Sequence, residues 1–82
     1  MKEIEFTAHA ENMLIERNIT RDLVYHTIKE PDKIEKKEDG TTHYLKPIKE
    51  NEGRVLRVVT GSKSQVIKVI TQFFDRRAGR II

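Results

Sequence analysis

The chain has 82 residues, of which 37% are hydrophobic, enough for one small domain with a modest core. It contains no cysteine, which excludes disulfides and cysteine-ligated zinc or iron–sulfur centres. The net charge is +3, and apolar runs recur among the 35% of charged residues, which argues against a disordered chain.

The first residues and the lengths of the apolar runs bear on localisation. Residues 1–6 include two glutamates and lack the apolar segment that a signal peptide carries. The apolar runs fall far short of the roughly 18 residues that a membrane-spanning helix needs. We therefore expect a cytoplasmic protein with a single domain over residues 1–82 and no membrane partner.

The basic residues are concentrated in the second part of the chain. Residues 1–53 carry 9 basic and 12 acidic side chains, whereas residues 54–82 carry 7 basic side chains and a single acid, Asp75. This asymmetry indicates that the second part binds a polyanion such as nucleic acid. The alternative is a solvated basic surface balanced by an acidic surface elsewhere.

Two short helices are predicted in the first part of the chain. The first begins at Phe6 and Thr7, where the threonine can act as N-cap, and Asn18 can end it because asparagine tolerates the left-handed conformation. Thr20 is a suitable N-cap for the second helix, which Pro31 ends.

From Asp32 onward the apolar residues alternate, which is typical of strands. Asp39-Gly40 is a strong hairpin turn between the first two of them. The predicted strands cover residues 33–37, 42–49, 54–60 and 65–73. The sequence thus predicts an α+β domain in which two N-terminal helices pack on a four-stranded antiparallel meander.

The turn positions also predict a strand register. Four-residue loops at 50–53 and 61–64 would place Arg57 opposite both Lys46 and Lys68, so that three basic side chains form one row on one face. Like charges in opposite positions destabilise a sheet, so the row makes sense if a phosphate binds over it. The alternative is three unrelated side chains on a solvated face. The candidate nucleic-acid-binding residues are Lys46, Arg57, Lys68, Arg76 and Arg77.

The first predicted helix carries three candidate catalytic residues, His9, Glu16 and Arg17. Arg17 lies on the apolar face of the helix, where a guanidinium needs a partner or a ligand. His9 and Glu16 follow one edge of that face, and a histidine can act as general acid or base near neutral pH. The alternative for His9 is a bond to a local carbonyl or to Glu16. The three histidines lack metal-ligand spacing and no phosphate-binding glycine motif is present, so we expect no metal and no cofactor.

The segment from Phe6 to Ile19 and the strand ending at Thr71 resemble a known sequence pattern. The pattern is that of the family catalogued as domain of unknown function 4258, many of whose members have an arginine where this chain has Asn12. The matching positions are His9, Met13, Glu16, Arg17, Ile19 and Thr71.

That family is similar in fold to the RelE/ParE-like toxins, so the resemblance implies a RelE-like two-layer domain and a toxin-like function. Some of those toxins cleave messenger RNA on the ribosome with basic side chains of the sheet, whereas others poison gyrase and are not nucleases. The implied partners are RNA or the ribosome, and an antitoxin protein.

Three hypotheses for the function follow. The first is a toxin-like protein of a toxin–antitoxin system that binds or cleaves RNA without a metal, with His9 as acid or base and Arg17, Arg57 and Lys68 on the phosphate. The second is a non-catalytic module that binds nucleic acid or a protein through residues 73–82. The third is a homodimer formed through a strand edge or the C-terminal tail.

Overall fold

Two helices lie on one face of a five-stranded sheet in the computed structural model, which describes residues 3–63 and 65–78. The strand order is β1-β5-β4-β3-β2. The elements are β1 (Glu3–Phe6), α1 (Ala8–Glu16), α2 (Arg21–Lys29), β2 (Lys33–Lys36), β3 (Thr42–Ile48), β4 (Arg54–Lys63) and β5 (Val66–Asp75).

Side-chain caps begin both helices, as the sequence predicts. The Thr7 hydroxyl accepts a hydrogen bond from the Ala10 amide at 3.1 Å, and the Thr20 hydroxyl accepts one from the Leu23 amide at 3.2 Å. Asn18 follows α1 with a φ of 53°, in the left-handed region. Each helix has nine residues, and neither is long and apolar enough to cross a membrane.

The prediction of a four-stranded antiparallel meander is wrong, because β1 adds a fifth strand that runs parallel to β5. Its sequence, Glu-Ile-Glu-Phe, has the alternation of a strand, and Ile4 and Phe6 pack against the core. Four residues are too few to stand out by pattern alone. Their partners in β5 are also more than sixty residues away, with Glu3 opposite Val66.

The sheet has one covered face and one face without helices. Leu56 and Val58 point to the helices and are fully buried in the main core. Val55 and Arg57 alternate with them and therefore point to the other side, which we call the open face. A small second cluster on the open face joins Val55 to Leu45 and Ala78.

The connections between the strands set a register different from the predicted one. Between β3 and β4 the chain makes a 3-10 turn over Lys49–Asn51 and then two residues with positive φ, Glu52 and Gly53, so Arg54 pairs with Ile48. This connection is one residue longer than predicted. The strands β4 and β5 extend further into their hairpin, and β5 contains an irregularity at Ile70.

Candidate functional site

The predicted row of three basic side chains does not form. Arg57 lies opposite Leu45 on one side and Phe73 on the other, whereas Lys46 lies opposite Leu56. Because a shift of one residue moves a side chain to the opposite face, Lys46 and Arg57 are on different faces of the sheet. Lys68 pairs with Gly61, well away from Arg57 along the strand. The register prediction on which the row depended is therefore wrong.

Arg57 is bonded within the protein rather than presented to a ligand. Its Nε donates to Asp75 Oδ2 at 2.7 Å, and its Nη1 donates to Glu35 Oε1 at 3.0 Å and to His43 Nδ1 at 2.8 Å. Only 14% of the Arg57 side chain is exposed. Two carboxylates thus compensate one guanidinium in a half-buried cluster on the open face, which we call the Arg57 cluster.

The ionisation of the Arg57 cluster follows from these bonds. Hydrogen bonds from Lys37 and Arg57 lower the pKa of Glu35 to about 2. Burial tends to raise the pKa of Asp75, but hydrogen bonds from Arg57 and from two backbone N–H groups outweigh burial and lower it. Burial tends to lower the pKa of Arg57, but its bonds to the two carboxylates outweigh burial and raise it. All three groups are therefore charged at neutral pH, and the guanidinium carries no free charge for a phosphate.

His43 completes the cluster as a neutral imidazole. Burial lowers its pKa, and the charge of Arg57 adds to this effect. Since Arg57 donates to Nδ1, the proton is assigned to Nε2, which lies 3.1 Å from the Thr41 hydroxyl. That hydroxyl donates to Asp39 Oδ1 at 2.6 Å. His43 does not stand out in the sequence, because its place beside Arg57 follows only from the true register.

The two lysines of the predicted row have separate surroundings. The Lys46 ammonium donates to the Glu30 carbonyl at 2.8 Å and lies 3.4 Å from the Asp32 carboxylate, so it ties the end of α2 to the sheet. Lys68 is exposed and lies 4.0 Å from the Glu5 carboxylate. Such an exposed pair contributes little to stability.

Arg17 occupies the edge of β5 beyond the end of β1. The last pair between these strands joins Phe6 to Val69, so the following residues of β5 have no neighbouring strand there. Arg17 Nη1 donates to the Gln72 carbonyl at 2.9 Å and to the Thr71 hydroxyl at 3.2 Å. Its guanidinium carbon lies 5.8 Å from the centre of the Phe73 ring. The side chain is held on one side and exposed on the other.

The other two candidate catalytic residues lie on the surface of α1. His9 and Glu16 are both exposed, and neither forms a side-chain hydrogen bond or ion pair within residues 3–63 and 65–78. Arg17 bonds to β5 and not to Glu16. A catalytic role for these residues stays a prediction. Nowhere in the described part of the chain do three histidine or carboxylate side chains meet in a way that could hold a metal ion.

A second group of arginines lines a cavity where β4 begins and β5 ends. The cavity has a volume of about 460 Å³ and is lined by Arg54, Val55, Phe74, Asp75 and Arg76. Val55 pairs with Asp75, so Arg54 and Arg76 occupy the next pair of opposite positions, where β4 begins and β5 ends. We call this site the arginine cavity.

The arginine cavity differs from the Arg57 cluster in charge. Arg54 and Arg76 are exposed, and neither forms an ion pair with a carboxylate in the described ranges. The Asp75 carboxylate is already bonded to Arg57 and to the backbone N–H groups of Arg77 and Ala78. Arg77 is exposed beside the cavity, whereas the predicted tail contacts of residues 79–82 lie outside the described residues. Arg76 and Arg77 were among the predicted nucleic-acid-binding residues, whereas Arg54 was not.

These features define the protein as a two-layer α+β domain with an arginine-lined cavity at one end of its sheet. The model of the family named Domain of unknown function (DUF4258) matches residues 6–73, and the chain belongs to this family. No curated protein and no solved structure matches the chain. The similarity to the RelE/ParE-like toxins therefore stays a prediction.

The family pattern acquires a structural explanation at several of its positions. Thr7 caps α1 and also donates to the Ile70 carbonyl at 3.2 Å. Ile19 is buried in the main core, and Arg17 and Thr71 bond to each other. Thr7, Arg17 and Thr71 thus join α1 to β5, whereas His9 and Glu16 have no such contact within the described residues.

Proposed function

We propose that the protein is an RNA-binding module of toxin-like type, and that RNA binds at the arginine cavity. The observation that carries the proposal is the pair of exposed arginines, Arg54 and Arg76, which line one cavity without a carboxylate partner in the part of the chain that the structure describes. A guanidinium fork matches the geometry of a phosphate group, and two forks side by side can hold one phosphate or two successive ones.

Aromatic side chains beside the cations favour a nucleic acid over an acidic peptide. Phe74 lines the arginine cavity, and Phe73, the next residue of β5, lies under the guanidinium of Arg17. Bases stack on aromatic rings and on arginine planes, which an acidic peptide does not exploit. The arginine cavity and the Arg17–Phe73 pair thus offer phosphate and base contacts near the end of β5, with Phe74 and Phe73 on opposite faces of the strand.

Arg17 extends the proposed contact surface along β5. It is bonded at Gln72, four residues before Arg76, which corresponds to about 13 Å along a strand. A strand of RNA that follows the edge of β5 would therefore meet Arg17 and the arginine cavity in succession. Arg57 is not part of this surface, because Glu35 and Asp75 compensate its charge.

The test is the affinity for a short fluorescein-labelled single-stranded RNA, measured by anisotropy over a range of salt concentrations. Removing both cavity arginines, in Arg54→Ser/Arg76→Ser, should weaken binding and reduce the slope of log K against log salt by about 1.4, since each lost phosphate contact in a single strand contributes about 0.7. A labelled poly-glutamate peptide, measured in parallel, should bind far more weakly than the RNA.

The matched control is Lys29→Ser/Lys36→Ser, which removes the same charge from two exposed residues away from the cavity, since Lys36 pairs with Thr42 at the opposite end of β3 from Ile48, the partner of Arg54. We expect the control to retain most of the affinity and nearly the full salt slope. Equal losses in the two double variants would mean that net charge alone binds RNA. An unchanged slope in the cavity variant would refute the site.

Cleavage of the RNA is a separate step in this proposal and depends on residues outside the cavity. His9 is exposed on α1 and free to reach a ligand at that surface. We expect His9→Ala to retain the affinity for RNA and to lose RNA cleavage and growth inhibition. If the wild-type protein leaves RNA intact, the function is restricted to binding; if His9→Ala cleaves normally, His9 has no part in the reaction.

A further inference from the structure

The outer edge of β2 carries unpaired backbone groups. The strand is last in the order of the sheet, with β3 on its inner side. The Lys37 amide donates to the Thr41 carbonyl at 2.9 Å, so Lys37 bonds inward. Because inward and outward bonding alternate along an antiparallel pair, Ile34 and Lys36 direct their N–H and C=O groups away from the sheet. Such an edge can accept another strand.

An exposed apolar side chain stands in the middle of this edge. Ile34 lies opposite Tyr44 on the helix-covered side of the sheet, yet it is 51% exposed. Its position at the outermost strand leaves it without a neighbour on one side. A strand added to β2 would cover it.

The charges along β2 complement a second copy of the same strand. If two copies pair antiparallel about a two-fold axis at Ile34, each Ile34 lies opposite the other. Lys33 then lies opposite Glu35 of the second copy, and this pair occurs twice. Beyond it Lys36 lies level with Asp32, whose amide bonds inward to the Leu45 carbonyl at 2.9 Å and whose carboxylate lies 3.4 Å from Lys46. The two Lys33–Glu35 pairs thus join opposite charges, and the outward N–H and C=O groups of the two Ile34 residues bond to each other.

The neighbouring registers are unfavourable. If the pairing shifts so that Ile34 lies opposite Lys36 of the second copy, Glu35 lies opposite Glu35 and Lys33 lies opposite Lys37. If it shifts the other way, so that Ile34 lies opposite Asp32, Lys33 lies opposite Lys33. Like charges in opposite positions destabilise a sheet, so both registers are unfavourable. The same charges that disfavour the other registers therefore select a single register for self-association.

The other edge of the sheet has no such complementarity. In β1 the alternate residues are Glu3 and Glu5, and an antiparallel self-pairing centred on Ile4 or Glu5 opposes two glutamates. The stretch of β5 beyond β1 is occupied by the Arg17 side chain. Of the two edge strands in the described residues, only β2 fits its own copy.

We infer that two copies of the protein associate through their β2 strands, so that the two sheets form one continuous sheet. The contact is isologous, as expected for a two-fold dimer. It is short, because β2 has only four residues, so the dimer exchanges with monomer and depends on concentration.

The test is sedimentation equilibrium from about 10 μM to about 1 mM protein, a range that covers weak association. The wild-type protein should shift from monomer to dimer over this range. In Ile34→Lys two lysines oppose each other at the two-fold axis, and we expect association to weaken at least tenfold. A wild-type protein that stays monomeric throughout, or an Ile34→Lys variant that dimerises like the wild type, overturns the inference.

The control is Ile15→Lys, which makes the same chemical change at an 84% exposed isoleucine of α1. It should dimerise as the wild type does, and a loss of association here would place the interface on α1 instead. Hydrogen exchange of the wild-type chain gives a readout that needs no variant. The amides of Ile34 and Lys36 should become protected as the concentration rises, and exchange that does not depend on concentration would contradict the pairing.

Discussion

Arg54 and Arg57 belong to the same strand, three residues apart, and have opposite surroundings. Arg57 points to the open face, where Glu35 and Asp75 hold its guanidinium and little of the side chain is exposed. Arg54 points to the other side, at the end of the sheet, and lines the arginine cavity with Arg76. Arg57 contributes to the fold, whereas the charge of Arg54 is available to the solvent and to ligands.

A count of basic residues therefore does not locate a binding site. Asp75 is the single acid among residues 54–82, and it bonds to Arg57 rather than to the adjacent Arg76. The strand register and the position of the Asp75 carboxylate decide which of the arginines remains available to a ligand. The two arginines can therefore be separated experimentally, by stability and by RNA affinity.

The largest effect on stability is expected for Arg57→Ala. The variant leaves two partly buried carboxylates without their shared cation, and removing one partner of such a network destabilises a protein by about 3 kcal/mol. Urea unfolding followed by circular dichroism measures the change. Arg54→Ala is the matched control and should stay within about 0.5 kcal/mol of the wild type. Equal stability of the two variants would contradict the assignment of Arg57 to the fold.

Acid should destabilise the protein through the Arg57 cluster. The pKa of Glu35 is about 2 in the fold, below its ordinary value of 4.5, so its contribution is complete above about pH 4.5 and is lost as the pH falls toward 2. The pKa of His43 is also lowered, so the unfolded chain takes up this proton first and stability begins to fall below about pH 6.5.

Urea midpoints between pH 7 and pH 3 test this expectation. Glu35→Gln should be less stable at pH 7 and should show a flatter dependence below pH 4.5, while His43→Gln should lose the decline that begins near pH 6.5. A wild-type profile that is flat from pH 7 to pH 3 would show that the cluster does not control acid stability.

The smallest effects are expected at Arg17, which contributes both to the stability of the fold and to the proposed RNA contact. Arg17→Ala removes the bonds to Thr71 and Gln72 and should cost about 1 kcal/mol of stability. It should also reduce the salt slope of RNA binding by about 0.7. In Arg17→Lys the charge is kept, but a lysine cannot stack on Phe73 and bond to β5 at the same time. Compared with Arg17→Ala, this variant should therefore recover part of the salt slope of RNA binding and little of the stability. Restoration of both by lysine would show that only the charge matters.

Local signals in the sequence predicted both helices and their N-caps correctly, but Phe6, predicted to open the first helix, ends β1 instead. Thr7, Thr20 and Asn18 act within a few residues of their own position, so capping chemistry alone identifies them. The strand β1 and the sheet register depend on contacts between distant segments. One additional residue in the connection before Arg54 moved Lys46 to the face opposite that of Arg57, and the longer hairpin between β4 and β5 moved Lys68 away from Arg57.

The candidate site was predictable only in part for the same reason. The basic character of residues 54–82 and the roles of Arg76 and Arg77 as surface cations are visible in the sequence. The neutralisation of Arg57 and the contact with His43 require four strands, β2 to β5, to be aligned, and a single sequence does not specify that alignment. Arg54 was overlooked because it follows a turn, where an exposed charge is ordinary.

The pairing of β1 with β5 has a consequence for how the chain folds. The hairpins that join β2 to β5 bring together neighbouring stretches of chain and can form early, whereas β1 must close a loop of more than sixty residues before it gains a partner. During synthesis the first strand therefore emerges long before the strand that receives it. We expect β1 to dock last and to be the first part of the sheet to detach.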